Sequence, residues 1–149
     1  MSEALQEMTV EDLLDSFEFL DDWEDRYRYI IDLGKRLPDM AEAEKTRESK
    51  VEGCVSQVWL VAHRDPREPD RLVFVADSDA HIVRGLVAIL LIVYSGKTAE
   101  EILAIDARGL LGRLDLEGHL SPSRSNGLFS MVRRIRDLAA ADGGRRAEA

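Results

Sequence analysis

The chain has 149 residues, about one domain's worth and enough to bury a core without a metal or disulfide staple. It is 45% hydrophobic and 33% charged, with 10 Gly and 4 Pro, the composition of an ordinary soluble globular protein. Its 20 Lys and Arg stand against 29 Asp and Glu, and the net charge of −9 repels phosphate backbones, which argues against nucleic acid as a main partner.

The acidity is uneven: residues 1–50 carry 7 basic and 15 acidic side chains, whereas residues 51–149 carry 13 and 14. The opening MSEALQEMTVEDLL has no basic stretch followed by an apolar one, so no secretory signal is expected. Thr9 is placed to cap a first helix, with Leu13, Leu14, Phe17 and Leu20 as its apolar stripe. Asp21 and Asp22 offer a fresh start for a second helix, in which Trp23, Tyr27, Ile30 and Ile31 share one face and Gly34 and Pro38 mark the end. Residues 39–50 are polar and read as a solvated loop with some helical content.

The character changes at Val51. Gln57 to His63 and Arg71 to Asp77 are β-branched and aromatic strands, joined by a proline-bearing charged loop as a hairpin. Ser78 or Asp79 is then placed to cap a helix whose body, IVRGLVAILLIVY, is apolar nearly all round and therefore buried. Its longest apolar run, Leu86 to Tyr94, is less than half the ~20 residues needed to span a bilayer, so no membrane partner is expected. Thr98 and Glu101 form a capping box for a short helix. Residues 105–118 read as short helical turns interrupted by Gly109, Gly112 and Gly118. Ser121 or Ser123 caps a last helix carrying Leu128, Met131, Val132, Ile135, Leu138 and Ala139 on one stripe. The order of elements is α+β, a small antiparallel sheet packed with helices. One domain is expected over residues 1–140, with 141–149 as a frayed tail.

Chemistry has few places to sit. One cysteine excludes an intramolecular disulfide, a zinc site with two or more thiolates from this chain, and an all-cysteine iron–sulfur cage. That residue, Cys54, lies in KVEGCVSQVW at the lip of the first strand, after a glycine that permits a sharp or left-handed turn. A lone cysteine is more often a small buried hydrophobe than a nucleophile, and no cation except Lys50 is near it in sequence. His63, His81 and His119 have no Cys or His at ligand spacing, so a metal site is not expected. His119 is the first candidate base for a Cys–His hydrolase, although a histidine hydrogen-bonded at a helix entrance is the commoner arrangement. Arg124, in SPSRSNG, sits in a first helical turn, where it opposes the helix dipole. That placement calls for a partner, an internal carboxylate or another protein's surface.

Four blocks in order, WEDRYRYIIDLGKRLP (Trp23 to Pro38), VEGCVSQVW (Val51 to Trp59), DSDAHIVRGLVA (Asp77 to Ala88) and HLSPSRSNGL (His119 to Leu128), resemble the SufE family of sulfur acceptors. The resemblance implies a small α+β fold like that of the IscU-type scaffolds, and a partner, a cysteine desulfurase of the SufS type, which holds sulfur as a persulfide. By match to the GCxSQ motif, Cys54 would take that sulfur by thiolate attack on a sulfur–sulfur bond and pass it to an iron–sulfur scaffold. The pyridoxal phosphate belongs to the desulfurase, so no cofactor is expected on this chain. Asp79 matches a position near the acceptor loop that affects reactivity, Arg124 one implicated in contacting the desulfurase, and His119 lies in the same block without an assigned step. Family members shelter the acceptor thiol in the free protein and expose its loop on docking. Val55 departs from the glutamine that relatives often carry there.

With no secretory signal or membrane span expected, the chain reads as a cytoplasmic-type protein, monomeric or weakly dimeric, and the resemblance implies an accessory protein rather than a self-sufficient enzyme. The rival readings are a stand-alone thiol enzyme using Cys54 with His119 or His81, a binding module in which Cys54 only packs, and a paralogous acceptor serving a different desulfurase.

Overall fold

The segment His81–Tyr94 is a helix with apolar side chains on every side, and only His81 and Arg84 escape full burial along it. A computed structural model describes residues 5–148 apart from Val55, and in it the other main elements gather around this helix. In chain order they are α1 (Val10–Phe19), α2 (Trp23–Lys35), β1 (Val58–Arg64), β2 (Arg71–Ser78), α3 (His81–Tyr94), β3 (Lys97–Thr98), α4 (Ala99–Ala104), α5 (Ala107–Arg113) and α6 (Pro122–Glu148). Short 3-10 turns cover Leu5–Glu7 and Glu42–Glu44.

The sheet is antiparallel in the order β1-β2-β3, so the architecture is the α+β class expected from the element order. Val58 pairs with Ser78 and the register runs without a break to Arg64 opposite Leu72. Along β2, Leu72, Phe74, Ala76 and Ser78 are buried and alternate with half-buried neighbours, so one face of the hairpin meets the helices. β3 pairs only with Arg71 and Leu72. A two-residue strand has no periodicity to read, and the sequence pattern accordingly points to two strands rather than three.

Helix ends largely follow the local chemistry. Thr9 with Asp12 and Thr98 with Glu101 form complete capping boxes, and the Asp22 carboxylate accepts from the Glu24 N–H. Gly34 differs from expectation: α2 runs through it to Lys35. The glycine is there for packing, because a Cβ at Gly34 would lie 2.7 Å from the Gly85 nitrogen. Across the same contact a Cβ at Gly85 would lie 2.1 Å from the Ile30 carbonyl oxygen. The two helices therefore cross backbone to backbone.

The last helix also departs from expectation. It continues past Ala140 to Glu148, where local composition points to a frayed tail from Ala141 onward. Asp142 is buried and pairs with Arg64 of β1 at 2.5 Å, a long-range anchor that local sequence does not reveal. Among the described residues, no helix is long and apolar enough to cross a membrane.

The helix crossing predicts a specific sensitivity. Gly85→Ala must push α2 off α3, and urea unfolding should show a loss of about 1–3 kcal/mol or more, the cost of overpacking. Unchanged stability would mean that the helices do not cross at this distance.

Candidate functional site

Cys54 is carried by a loop whose ends are both pinned. On the incoming side the Val51 N–H donates to the Val58 carbonyl at 2.8 Å, and the Leu60 N–H donates to the Ser49 carbonyl at 2.9 Å. The chain at 49–51 thus lies along β1 and must turn back sharply to enter it. Gly53 makes that turn with φ +88, in the left-handed region, and a Cβ there would lie 2.5 Å from the Ser130 hydroxyl oxygen. Conformation and packing both demand glycine at this position.

The outgoing side is held through Gln57. Its backbone N–H donates to the Asp79 carboxylate at 3.0 Å. Its carbonyl accepts from the Ser78 hydroxyl at 2.7 Å and from the Asp79 N–H at 3.3 Å. Local capping rules place Ser78 or Asp79 at the head of α3, yet the residue at its N-cap is Ala80, with no side-chain cap. The Ser78 and Asp79 oxygens bind the Cys54 loop instead, a long-range use that nearest-neighbour rules cannot anticipate.

The loop directs Cys54 at α6. The half-buried thiol donates to the Gly127 carbonyl, with sulfur and oxygen 3.5 Å apart. Beside it lies a cavity of about 360 Å³. Val83 and Leu86 of α3 and Met131 of α6 give it an apolar floor, and Ser56, Ser121, Ser123 and Arg124 give it polar walls. Burial pushes the Cys54 thiol above its ordinary value of 9.0. At neutral pH the resting group is therefore a protonated, hydrogen-bonded thiol with little nucleophilic character.

Arg124 is at this cavity because of the start of α6. Pro122 occupies the first helical position and the Ser121 hydroxyl accepts from the Arg124 N–H at 3.2 Å, the ordinary chemistry of a helix entrance. The Arg124 guanidinium donates to the Tyr27 hydroxyl of α2 at 3.1 Å. No internal carboxylate pairs with it among the described residues. The sequence leaves open an internal acid or another protein's surface as partner; inside the fold the partner is a neutral phenol.

The histidines lie elsewhere. His119 stacks on Trp23 with ring centres 3.9 Å apart and planes 12° from parallel, and its Nδ1 lies 3.1 Å from the Asp115 carbonyl oxygen. His81 opens α3 on the exposed surface, and His63 pairs with Glu44 at 2.7 Å. None of the three lines the cavity with Cys54, so the fold does not bring together a Cys–His pair of the kind a stand-alone thiol enzyme would use. Among the described residues, no group of three or more His, Cys, Asp or Glu side chains is placed to hold a metal ion. Val55 lies outside the described residues.

Two contributors escape sequence reasoning. Tyr27 reads as part of the apolar stripe of α2, and Gly127 as one of several small residues at a helix start. The available signal is the four-residue spacing of Trp23 and Tyr27, which puts both rings on one helix face, toward the 119–124 segment.

The molecule is thus a small α+β domain whose site is built around one sheltered thiol. Residues 11–139 match the family described as "SufE: Fe-S metabolism associated domain", and the chain belongs to that family, which associates it with iron–sulfur metabolism. It is 57% identical over 139 residues to an uncharacterized SufE-like protein of Rhizobium etli, covering 92% of this chain and 93% of the relative. A second uncharacterized SufE-like protein, from Rhizobium meliloti, is 56% identical over 133 residues, covering 88% and 94%. The fold is also that of a hypothetical protein from Thermus thermophilus solved in solution, with a TM-score of 0.72, 17% identity, and coverage of 90% of this chain and 97% of that one.

The raised thiol value makes a statement about stability. The unfolded chain releases the Cys54 proton near pH 9.0 while the folded chain still holds it, so stability is intact below that pH and falls above it. Urea unfolding at pH 7.5 and pH 10 should therefore show a larger loss for wild type than for Cys54→Ser. Equal losses would mean that the thiol is as solvated in the fold as in the unfolded chain.

Proposed function

We propose that this chain is a sulfur acceptor and carrier: Cys54 takes the outer sulfur from the persulfide of a cysteine desulfurase of the SufS type and hands it on for iron–sulfur cluster assembly. The observation that carries this reading is the placement of the chain's one thiol, held protonated on a doubly pinned loop beside a cavity whose rim carries an arginine with no internal acid as partner among the described residues. Membership of an iron–sulfur metabolism family supports it.

In the transfer, the Cys54 sulfur attacks the outer sulfur of the desulfurase persulfide. A new sulfur–sulfur bond forms on Cys54, the bond inside the desulfurase persulfide breaks, and the desulfurase cysteine leaves as a thiolate. The step is redox-neutral and needs no oxidant. The thiol must first lose its proton to solvent, and the fold opposes that while the sulfur stays half-buried against α6. Docking that draws the loop out of the cavity, against the Gln57–Asp79 clamp, restores an ordinary thiol value and exposes the nucleophile together. A reactive thiol that is sheltered until its partner arrives also escapes the oxidation that converts exposed thiolates to sulfinic and sulfonic acids.

Arg124 is suited to the docking itself. Its guanidinium is exposed, held in place by the neutral Tyr27 hydroxyl, and able to meet a carboxylate on the desulfurase in a forked pair. The pyridoxal phosphate that releases sulfur from cysteine is the desulfurase's, and this chain supplies the thiol, its shelter and its exit. The reading places the protein in the cytoplasm, with the desulfurase and a cluster scaffold as its partners.

Intact-protein mass spectrometry after incubation with a SufS-type desulfurase and free cysteine tests this. Wild type should gain one or more sulfur atoms that a reducing agent removes, and Cys54→Ser should gain none. Absence of the gain with two paralogous desulfurases, each shown to be active, would overturn the acceptor reading.

A further inference from the structure

Gly127 occupies a buried position inside α6, where glycine weakens a helix relative to alanine. Its backbone does not demand glycine, because positive φ among the described residues is confined to Gly53, Gly96 and Asp115. Packing does not demand it either. The three atoms nearest to a Cβ built at this position all belong to Cys54, with Sγ at 3.5 Å and Cα and Cβ at 3.8 Å, ordinary van der Waals separations. The contrast with Gly85 and Gly53 is sharp, since a Cβ there would fall 2.1 Å and 2.5 Å from its neighbours. The thiol form thus has room for a methyl group that the sequence does not supply. The omitted methyl leaves free space against the sulfur, continuous with the cavity that Gly127 and Cys54 line together.

We propose that Gly127 is a specificity-determining residue for sulfur carriage: by omitting a side chain beside Cys54, it keeps a sulfur-sized space in which the outer sulfur of a Cys54 persulfide is held while the loop stays in its sheltered position. The proposal rests on the reading of Cys54 as a sulfur acceptor. An outer sulfur lies about 2.05 Å from the inner one. An outer sulfur set on the α6 side of Sγ would come inside van der Waals contact with an alanine methyl held 3.5 Å from Sγ, whereas the bare thiol only touches it. The same cavity supplies what a persulfide anion needs, the Arg124 charge and the hydroxyls of Ser56, Ser121 and Ser123. The Gly127 carbonyl accepts the thiol proton in the empty carrier. It has no proton to accept from a loaded one, so loading shifts the sulfur's polar partners from Gly127 toward those walls.

The test compares wild type with Gly127→Ala, each loaded with inorganic polysulfide. The Cys54 thiolate takes one sulfur from the polysulfide chain and releases a polysulfide dianion shorter by one atom, so no desulfurase is required. After removal of the excess, glutathione is added and loss of the outer sulfur is followed by mass spectrometry. Thiol-form melting temperatures are measured in parallel. Gly127→Ala should melt at or above the wild-type temperature as a thiol, yet lose its outer sulfur about tenfold faster, because the overpacked site no longer holds it. Equal loss rates would overturn the proposal, as would a Gly127→Ala thiol form that melts lower or fails to fold. Wild type that loses its outer sulfur as fast as urea-unfolded protein would also overturn it. Loading by polysulfide but not by a desulfurase would sink the acceptor reading alone and leave the comparison of the two proteins decisive for Gly127.

Discussion

The site depends on how closely two helices approach. Gly34 and Gly85 let α2 and α3 meet backbone to backbone, and that distance fixes two walls of the cavity beside Cys54. The floor is α3, through Val83 and Leu86. The far wall is hung from α2, whose Trp23 stacks on His119 and whose Tyr27 holds Arg124. These two rungs pin the segment leading into α6, and α6 brings the Gly127 carbonyl to the thiol. A side chain at either crossing glycine would separate floor from wall, so a packing rule far from the sulfur sets the room around it.

The thiol is held by opposing demands. Burial and the Gly127 carbonyl favour the protonated, inert form, while the proposed sulfur transfer would require a thiolate in contact with a partner. A rigid site could not meet both. The loop resolves the conflict because its restraints are few: backbone contacts to β1 on one side, and the Ser78 and Asp79 oxygens on Gln57 on the other. Hydrogen bonds of this kind contribute roughly 1 kcal/mol each, which is within what a docking partner can offset.

Much of this is legible in the sequence where the governing interaction is local. The capping boxes at Thr9 and Thr98, the hairpin, the all-apolar α3 and the glycine-bearing turn before Cys54 all follow from neighbours a few residues apart. What sequence reasoning misreads is long-range. Gly34 looks like a helix stop because its reason for being glycine lies far along the chain, at Gly85. Ser78 and Asp79 look like caps because the loop that uses their oxygens lies in a different part of the chain. Asp142 anchors α6 through Arg64, so a stretch with glycines and several charges stays helical where local propensity reads fraying. The motif around Cys54 marks the thiol by family resemblance. Its burial, its partner on α6 and the role of Tyr27 require the fold.

Sulfur acceptance as proposed requires a thiol that is sheltered in the free protein and released by its partner. The most direct measurement is the rate of Cys54 alkylation by iodoacetamide, with the protein free and with a saturating SufS-type desulfurase whose own nucleophilic cysteine has been replaced, so that no sulfur can move. Slow modification of the free protein and an acceleration of about tenfold in the complex, as expected when a locally closed loop is opened, would support it. Equal rates in the two states, matching those of the unfolded chain, would contradict it.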